Sequence, residues 1–222
     1  GYIERKKNNY KKAIEYYTKA LELKPDYFKA LFNRGFAYDK LSRYDLAIAD
    51  YSLAINVEPN NAYAYYNRAI SNDKKGDSEA TIADFTTALT LQPDKPDFYL
   101  NRAFTYRKMK EYNNAILDYS TVISLDNKSF KGHYNRGLCY EKIGEYESAY
   151  ADFKEVLVIE LQTLKSNNNS DVESIISQET FIKSPTLLSS YESILLHLGN
   201  VSEKLNYLDE AITHFNSILK FN

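Results

Sequence analysis

The sequence predicts an all-α protein made of stacked antiparallel helix pairs, and three observations predict it. The phrase Asn-Arg-Gly/Ala occurs four times, as Asn33-Arg34-Gly35, Asn67-Arg68-Ala69, Asn101-Arg102-Ala103 and Asn135-Arg136-Gly137, each copy 34 residues after the last. Other positions keep the same step: Asp50, Asp84, Asp118 and Asp152; Tyr51, Phe85, Tyr119 and Phe153; Ile48, Ile82 and Ile116. Within one period the apolar residues recur at helical spacing. A fixed period of this length means repeated supersecondary units that bury their apolar faces on one another.

The unit from Phe28 to Asn61 shows how each element arises. Leu31, Gly35 and Tyr38 are four and three residues apart, one stripe of a helix spanning roughly 27–40. After a break at Ser42-Arg43, Ala47, Tyr51 and Ala54 repeat that spacing over roughly 44–57. Pro59 then ends the unit, because proline cannot continue a helix. Gly35, Ala69, Ala103 and Gly137 are small where the paired helix must approach, and the large Tyr51, Phe85, Tyr119 and Phe153 fill the space opposite. Neither helix is long enough to persist alone, so packing between neighbours carries the fold.

This pattern resembles the tetratricopeptide repeat, on Gly35, Tyr38, Ala47, Tyr51, Ala54 and Pro59 and their later copies. The tryptophan usual in the first helix is absent; Leu31, Tyr65, Tyr99 and His133 stand there. The resemblance implies a right-handed superhelix of antiparallel helix pairs. The first repeat, 1–27, is truncated: Ala13, Tyr17, Ala20 and Pro25 match its second helix. Complete repeats are expected at 28–61, 62–95, 96–129 and 130–164. The second of these is looser, with Asn72 in place of tyrosine and Thr81 in place of alanine. The last lacks its proline, so Phe153 to Leu164 reads as a continuous helix.

An interruption at 165–184 breaks the period, with an Asn-rich loop at 166–171 and a short helix carrying Val172, Ile175 and Ile176. Ser184-Pro185 is a helix start. The helix it opens, to about Leu205, and a second with Ala211, Phe215 and Ile218 form a divergent terminal pair at 185–222. There His197-Leu198 replaces Asn-Arg, and His214 takes the aspartate position.

Each repeated arginine sits beside the core stripe, where burial without a partner would cost several kcal/mol. The partner expected is the aspartate of the same repeat: Arg34 with Asp50, Arg68 with Asp84, Arg102 with Asp118, Arg136 with Asp152. Both features vanish together in the terminal pair, which favours pairing within each repeat. The asparagines point to another face. On a helical wheel Asn33 lies with Lys29, Phe32, Phe36 and Lys40. Its counterparts are Tyr63, Tyr66, Asn67, Ile70 and Lys74; Asp97, Leu100, Asn101, Phe104 and Lys108; and Lys131, Tyr134, Asn135, Leu138 and Lys142. The resemblance makes this the concave groove where peptides lie. Asparagine donates and accepts, so a ladder of them suits an extended peptide backbone; the alternative is that these asparagines only bond neighbouring helices. Interleaved aromatics would read side chains.

The function these residues imply is a protein–protein interaction scaffold holding a peptide or helical segment of a protein partner. Two alternatives stay open: a targeting or regulatory domain of a larger enzyme or co-chaperone, and a self-assembling scaffold that forms homo-oligomers. The sub-class of the family that clamps chaperone C-terminal tails uses groove lysine and asparagine at positions held here by Phe32 and Phe36, Tyr66 and Ile70, or Leu100 and Phe104. That pattern speaks against a chaperone tail. No catalytic constellation, cofactor motif or metal-ligand spacing is present, and the remaining carboxylates fall on solvent faces. The net charge of −2, from 28 basic and 30 acidic residues, supplies no basic stripe for nucleic acid. No apolar run approaches a membrane span, and Cys139 as sole cysteine suits a reducing compartment, cytoplasmic with the nucleus as alternative. The start at Gly1, inside a repeat, and a single methionine, Met109, point to a piece of a longer protein.

Overall fold

The computed structural model of the chain describes residues 1–168 and 185–219, and every regular element among them is an α-helix. These helices fall into two compact units, Gly1–Met109 and Lys110–Asn222. The first holds α1 (Tyr2–Lys6), α2 (Tyr10–Leu23), α3 (Phe28–Lys40), α4 (Tyr44–Val57), α5 (Ala62–Lys75), α6 (Ser78–Leu91) and α7 (Pro96–Lys108). The second holds α8 (Tyr112–Leu125), α9 (Phe130–Ile143), α10 (Tyr146–Asn168), α11 (Pro185–Lys204) and α12 (Leu208–Leu219).

Several helices begin or stop for a local reason. Side chains of Asn9, Asn61, Asp77 and Ser129 accept a backbone N–H at the N-termini of α2, α5, α6 and α9, satisfying donors the helix itself leaves over. Pro96 and Pro185 stand at first helical positions, where the missing N–H costs nothing. The turn inside each pair needs one residue in the left-handed region: Asn8 (φ 58°), Ser42 (58°), Gly76 (91°), Lys110 (63°), Gly144 (82°) and Asn206 (62°). The first five keep the 34-residue step, yet only two are glycine, so the sequence pattern hides this requirement.

Packing follows the repeat. Ala30, Leu31 and Ala54 bury against Ala13, Tyr17 and Leu21 in the first unit; Ala149, Phe153 and Val156 bury against Ile194, Leu198 and Val201 in the second. The close approach at Gly35 and Gly137 is real: a Cβ there would sit 3.1 Å from the Tyr51 ring and 3.0 Å from the Phe153 ring. Ala69 and Ala103, in the same place, are fully buried. The two looser positions are satisfied. Asn72 Nδ2 donates to Asp84 Oδ2 at 3.3 Å, and Thr81 Oγ1 donates to the Asp77 carbonyl at 2.6 Å.

Two expectations need correction. The Asn-rich stretch from 166 does not open as a loop: α10 runs on to Asn168, since the chain carries no proline or glycine to stop it and Val156 and Ile159 bury their side chains along it. The short helix over 172–176 and the cap at Ser184 lie outside the described residues. The carboxylates outside the arginine pairs are not all on solvent faces either. Asp39 is buried on α3 and accepts from Ser71 Oγ at 3.0 Å and Lys74 Nζ at 2.5 Å on α5.

Candidate functional site

The repeated arginines are held inside the scaffold. Arg34 Nε and Nη2 each donate to Asp50 at 2.7 Å; Arg68 does so to Asp84 at 2.8 and 2.7 Å; Arg136 to Asp152 at 2.8 Å from both nitrogens. These forked bonds raise each guanidinium's pKa further, against the opposing effect of burial. The third nitrogen reaches back one helix pair. Nη1 of Arg34, Arg68, Arg102 and Arg136 donates to Thr18, Ser52, Thr86 and Ser120 at 3.1, 2.9, 2.9 and 2.9 Å. The arginine therefore ties a repeat to itself and to its predecessor. Asp118, the partner the sequence assigns to Arg102, is buried. A hydroxyl at residues 18, 52, 86 and 120 keeps the 34-residue step and was legible, but serine and threonine carry no charge to draw attention.

The asparagines are fixed differently. Nδ2 of Asn33, Asn67, Asn101 and Asn135 donates to the carbonyl four residues earlier, of Lys29, Tyr63, Asp97 and Lys131, at 2.6, 2.7, 2.7 and 2.8 Å. Asn101 also donates to Tyr66 Oη at 3.1 Å. Each amide is thereby oriented on its own helix, half-buried, while its Oδ1 takes no hydrogen bond among the described residues.

The aromatics of this face divide into two sets. Phe32, Tyr66 and Tyr134 lean on the large residue of their own second helix, Tyr51, Phe85 and Phe153, at centroid distances of 5.6, 5.6 and 5.9 Å. Tyr66 also stacks on Phe98 at 4.6 Å. Those rings are packing groups. Of the residues one turn later, Phe36 lies 6.4 Å from Tyr10 and under the Arg5 guanidinium at 4.9 Å. Leu138 packs against the core of the second unit, Ile70 is half-buried, and Phe104 is 42% exposed. Leu100 is half-buried, and Tyr63 is exposed beside Phe98 at 5.6 Å. Lys29 and Lys131 are exposed. Adjacent first helices in the first unit are joined by Lys74 to Asp39 and by Lys108 to Asp73 at 2.7 Å.

Family models of the TPR repeat match residues 1–42 and 105–144, and models of the tetratricopeptide repeat match residues 28–61, 62–95 and 130–160. The chain belongs to the tetratricopeptide repeat family. A crystal structure of MamA is similar with a TM-score of 0.71 at 26% identity, over 73% of this chain and 95% of that one. YrrB, described as a TPR protein with an unusual peptide-binding site, gives 0.69 at 14% identity, over 93% and 92% of the two chains. MamA from Desulfovibrio magneticus RS-1 gives 0.68 at 15%, over 87% and 94%. At 14 and 15% identity the last two show the fold alone. No curated protein matches the chain. Fold and family are those of protein-interaction scaffolds.

The terminal pair of this tetratricopeptide chain departs from the repeat chemistry. Leu198 is buried where the other repeats carry arginine. His197 holds the asparagine place: its ring stacks on Phe153 at 5.0 Å, meets Tyr134 edge-on at 5.9 Å, and places Nδ1 2.9 Å from Glu141 Oε2. That hydrogen bond holds the Glu141 carboxyl below its ordinary range. His133 lies between Asp152 Oδ1 at 2.9 Å and the Asn127 carbonyl at 3.3 Å. Among the described residues no cluster of His, Cys, Asp and Glu is arranged to hold a metal ion, and no helix is long and apolar enough to cross a membrane.

Proposed function

We infer that the protein is an interaction scaffold whose first-helix face binds an extended segment of a protein partner, gripping its backbone through the asparagines. The observation that carries this is the amide geometry. The bond from Nδ2 to the preceding turn fixes each side chain in advance, so little rotamer entropy remains to be lost on binding. At Asn33, Asn67 and Asn135 one N–H and the carbonyl stay available, the complement of a peptide group, while Asn101, whose second N–H goes to Tyr66 Oη, keeps its carbonyl. Arginine, by contrast, has its donors engaged at home. YrrB, a TPR protein described as having an unusual peptide-binding site, agrees with this use of the fold.

The test replaces Asn33, Asn67 and Asn101 together by alanine and measures melting temperature and affinity for a partner isolated by affinity capture. Alanine is the better helix former and the lost bonds, apart from that of Asn101 to Tyr66 Oη, are to each residue's own helix, so stability should nearly hold. Affinity should fall by about 1 kcal/mol per asparagine, whatever the partner's side chains. Affinity per folded molecule unchanged in the triple variant would overturn this reading.

A further inference from the structure

A cavity of about 230 Å³ opens in the first unit between α5, α6 and α7, lined by Ile70, Phe85, Phe104 and Thr105 with Asn101 and Asp73 among its polar neighbours. Its size selects an occupant. A cavity of about 150 Å³ holds a benzene ring, and small-molecule sites begin near roughly 300 Å³. The space therefore suits one large side chain better than a free cofactor.

Charge selects further. The acid and the base beside the cavity are compensated within the protein, Asp73 by Lys108 and Lys74 by Asp39. A charged side chain entering it would find no unspent counter-charge and would lose its hydration. Arg107 is different. It stands on α7 at the step where α3 and α5 carry Asp39 and Asp73. Its guanidinium lies 5.2 Å from the centre of the Phe104 ring that lines the cavity, and its Nε is buried without a hydrogen-bond partner among the described residues. The repeat step that gives two first helices an acid gives this one a cation with no ion-pair partner among the described residues.

We propose, resting on the reading of this face as a peptide groove, that the cavity anchors one uncharged side chain of leucine-to-phenylalanine size. A carboxylate one or two residues away in the same partner segment meets Arg107. Asn101 stands beside the cavity with both amide N–H groups held and its Oδ1 open, so it accepts a backbone N–H beside the anchor as the side chain enters. The partner sequence is thus apolar and acidic at neighbouring positions, not merely extended.

The test titrates ¹⁵N-labelled protein with capped nonapeptides on a Gly/Ser background, with Phe, Leu, Ala or Lys at the centre and Glu or Lys flanking it. Phe- and Leu-centred peptides with Glu should shift amide resonances of residues 70–74 and 101–107. Replacing the central Phe by Ala should weaken binding about ten-fold. Phe104 is exposed, so Phe104→Ala should fold as the parent does and should erase the discrimination between Phe and Ala centres. Arg107→Glu should reverse the preference from Glu to Lys flanks. Equal binding of Phe- and Ala-centred peptides, or shifts confined to the Phe32–Phe36 stretch, would overturn the anchor while leaving the groove in place. No shift at residues 70–74 and 101–107 with any peptide would overturn the anchor as well; the groove itself is decided by the asparagine variants.

Discussion

Arg68 closes a fork on Asp84, Nε to Oδ2 at 2.8 Å and Nη2 to Oδ1 at 2.7 Å, and spends its remaining Nη1 on Ser52 of the preceding helix pair at 2.9 Å. Removing the cation leaves a buried carboxylate with, among the described residues, only Asn72 Nδ2 to solvate it. Arg68→Leu should therefore cost roughly 2–3 kcal/mol in chemical denaturation. Arg68→Lys should recover little, because an ammonium cannot make the fork. Arg68→Leu with Asp84→Leu should recover much of the loss, since no charge is then buried alone. An unmoved midpoint for Arg68→Leu would mean that the fork is not what holds the pair together.

Tyr66 and Phe104 share the asparagine face but should answer to different measurements. Tyr66 packs against Phe85 and stacks on Phe98, and it accepts from Asn101. Phe104 is exposed, at 42%, and makes no ring contact with another aromatic among the described residues. Tyr66→Ala should destabilise by about 2–4 kcal/mol, while Phe104→Ala should shift the thermal midpoint by no more than a degree or two, roughly the scale of a surface change. Equal losses from the two would remove the distinction between packing ring and open ring.

That distinction marks where sequence reading stops. The helix pairs were legible because proline, the small residue and the large aromatic recur in register, and α3 and α4 fall at Phe28–Lys40 and Tyr44–Val57 as the stripe from Leu31 to Ala54 implies. The arginine fork was legible because a cation beside a core stripe requires an acid. The helical wheel placed Phe32 and Phe36 on one face, but it carries no depth. It could not tell that Phe32 meets Tyr51 at 5.6 Å. The contacts from Lys74 to Asp39 and from Asn101 to Tyr66 join neighbouring repeats 35 residues apart, a step that a search within one repeat does not visit. The course of α10 beyond Leu164 was missed because asparagines are weak helix formers, yet the sequence from Ile159 to Asn168 has no residue that forbids a helix.

The turn inside each pair holds a left-handed residue, and two of these are strained. Lys110 at φ 63° and Ser42 at φ 58° carry a Cβ in a region that disfavours one, whereas Gly76 and Gly144 do the same job without it. Lys110→Gly and Ser42→Gly should each stabilise by roughly 0.5–1 kcal/mol, the strain relieved less the greater freedom of glycine in the unfolded chain. Gly76→Ala should cost about 1 kcal/mol for the same reason, despite open space around its Cβ position. If Lys110→Gly proved destabilising in equilibrium unfolding, the turn would not be strained.

Acid should loosen the terminal helix pair in two separate steps. His214 Nε2 is buried without a hydrogen-bond partner among the described residues, and burial pushes its pKa below the ordinary 6.5, with Lys154 adding to the effect and Glu210 opposing it. The unfolded chain therefore takes up this proton first. Stability present above pH 6.5 is lost as the pH falls through the folded value of His214. Glu141, held low mainly by its hydrogen bond to His197, gives a second loss that begins only below its ordinary 4.5. Glu160 works against the first, because burial pushes its carboxyl above its ordinary 4.5 and the folded chain takes up that proton before the unfolded one. Variants compared with the parent, not the parent's slope alone, isolate each step. In denaturant melts followed from about pH 7.5 to about pH 3.5, His214→Gln should flatten the loss that starts at 6.5, and Glu141→Gln should flatten only the loss below 4.5. A His214→Gln protein with the parent's full slope between those two values would show that this imidazole titrates alike in the folded and unfolded chain.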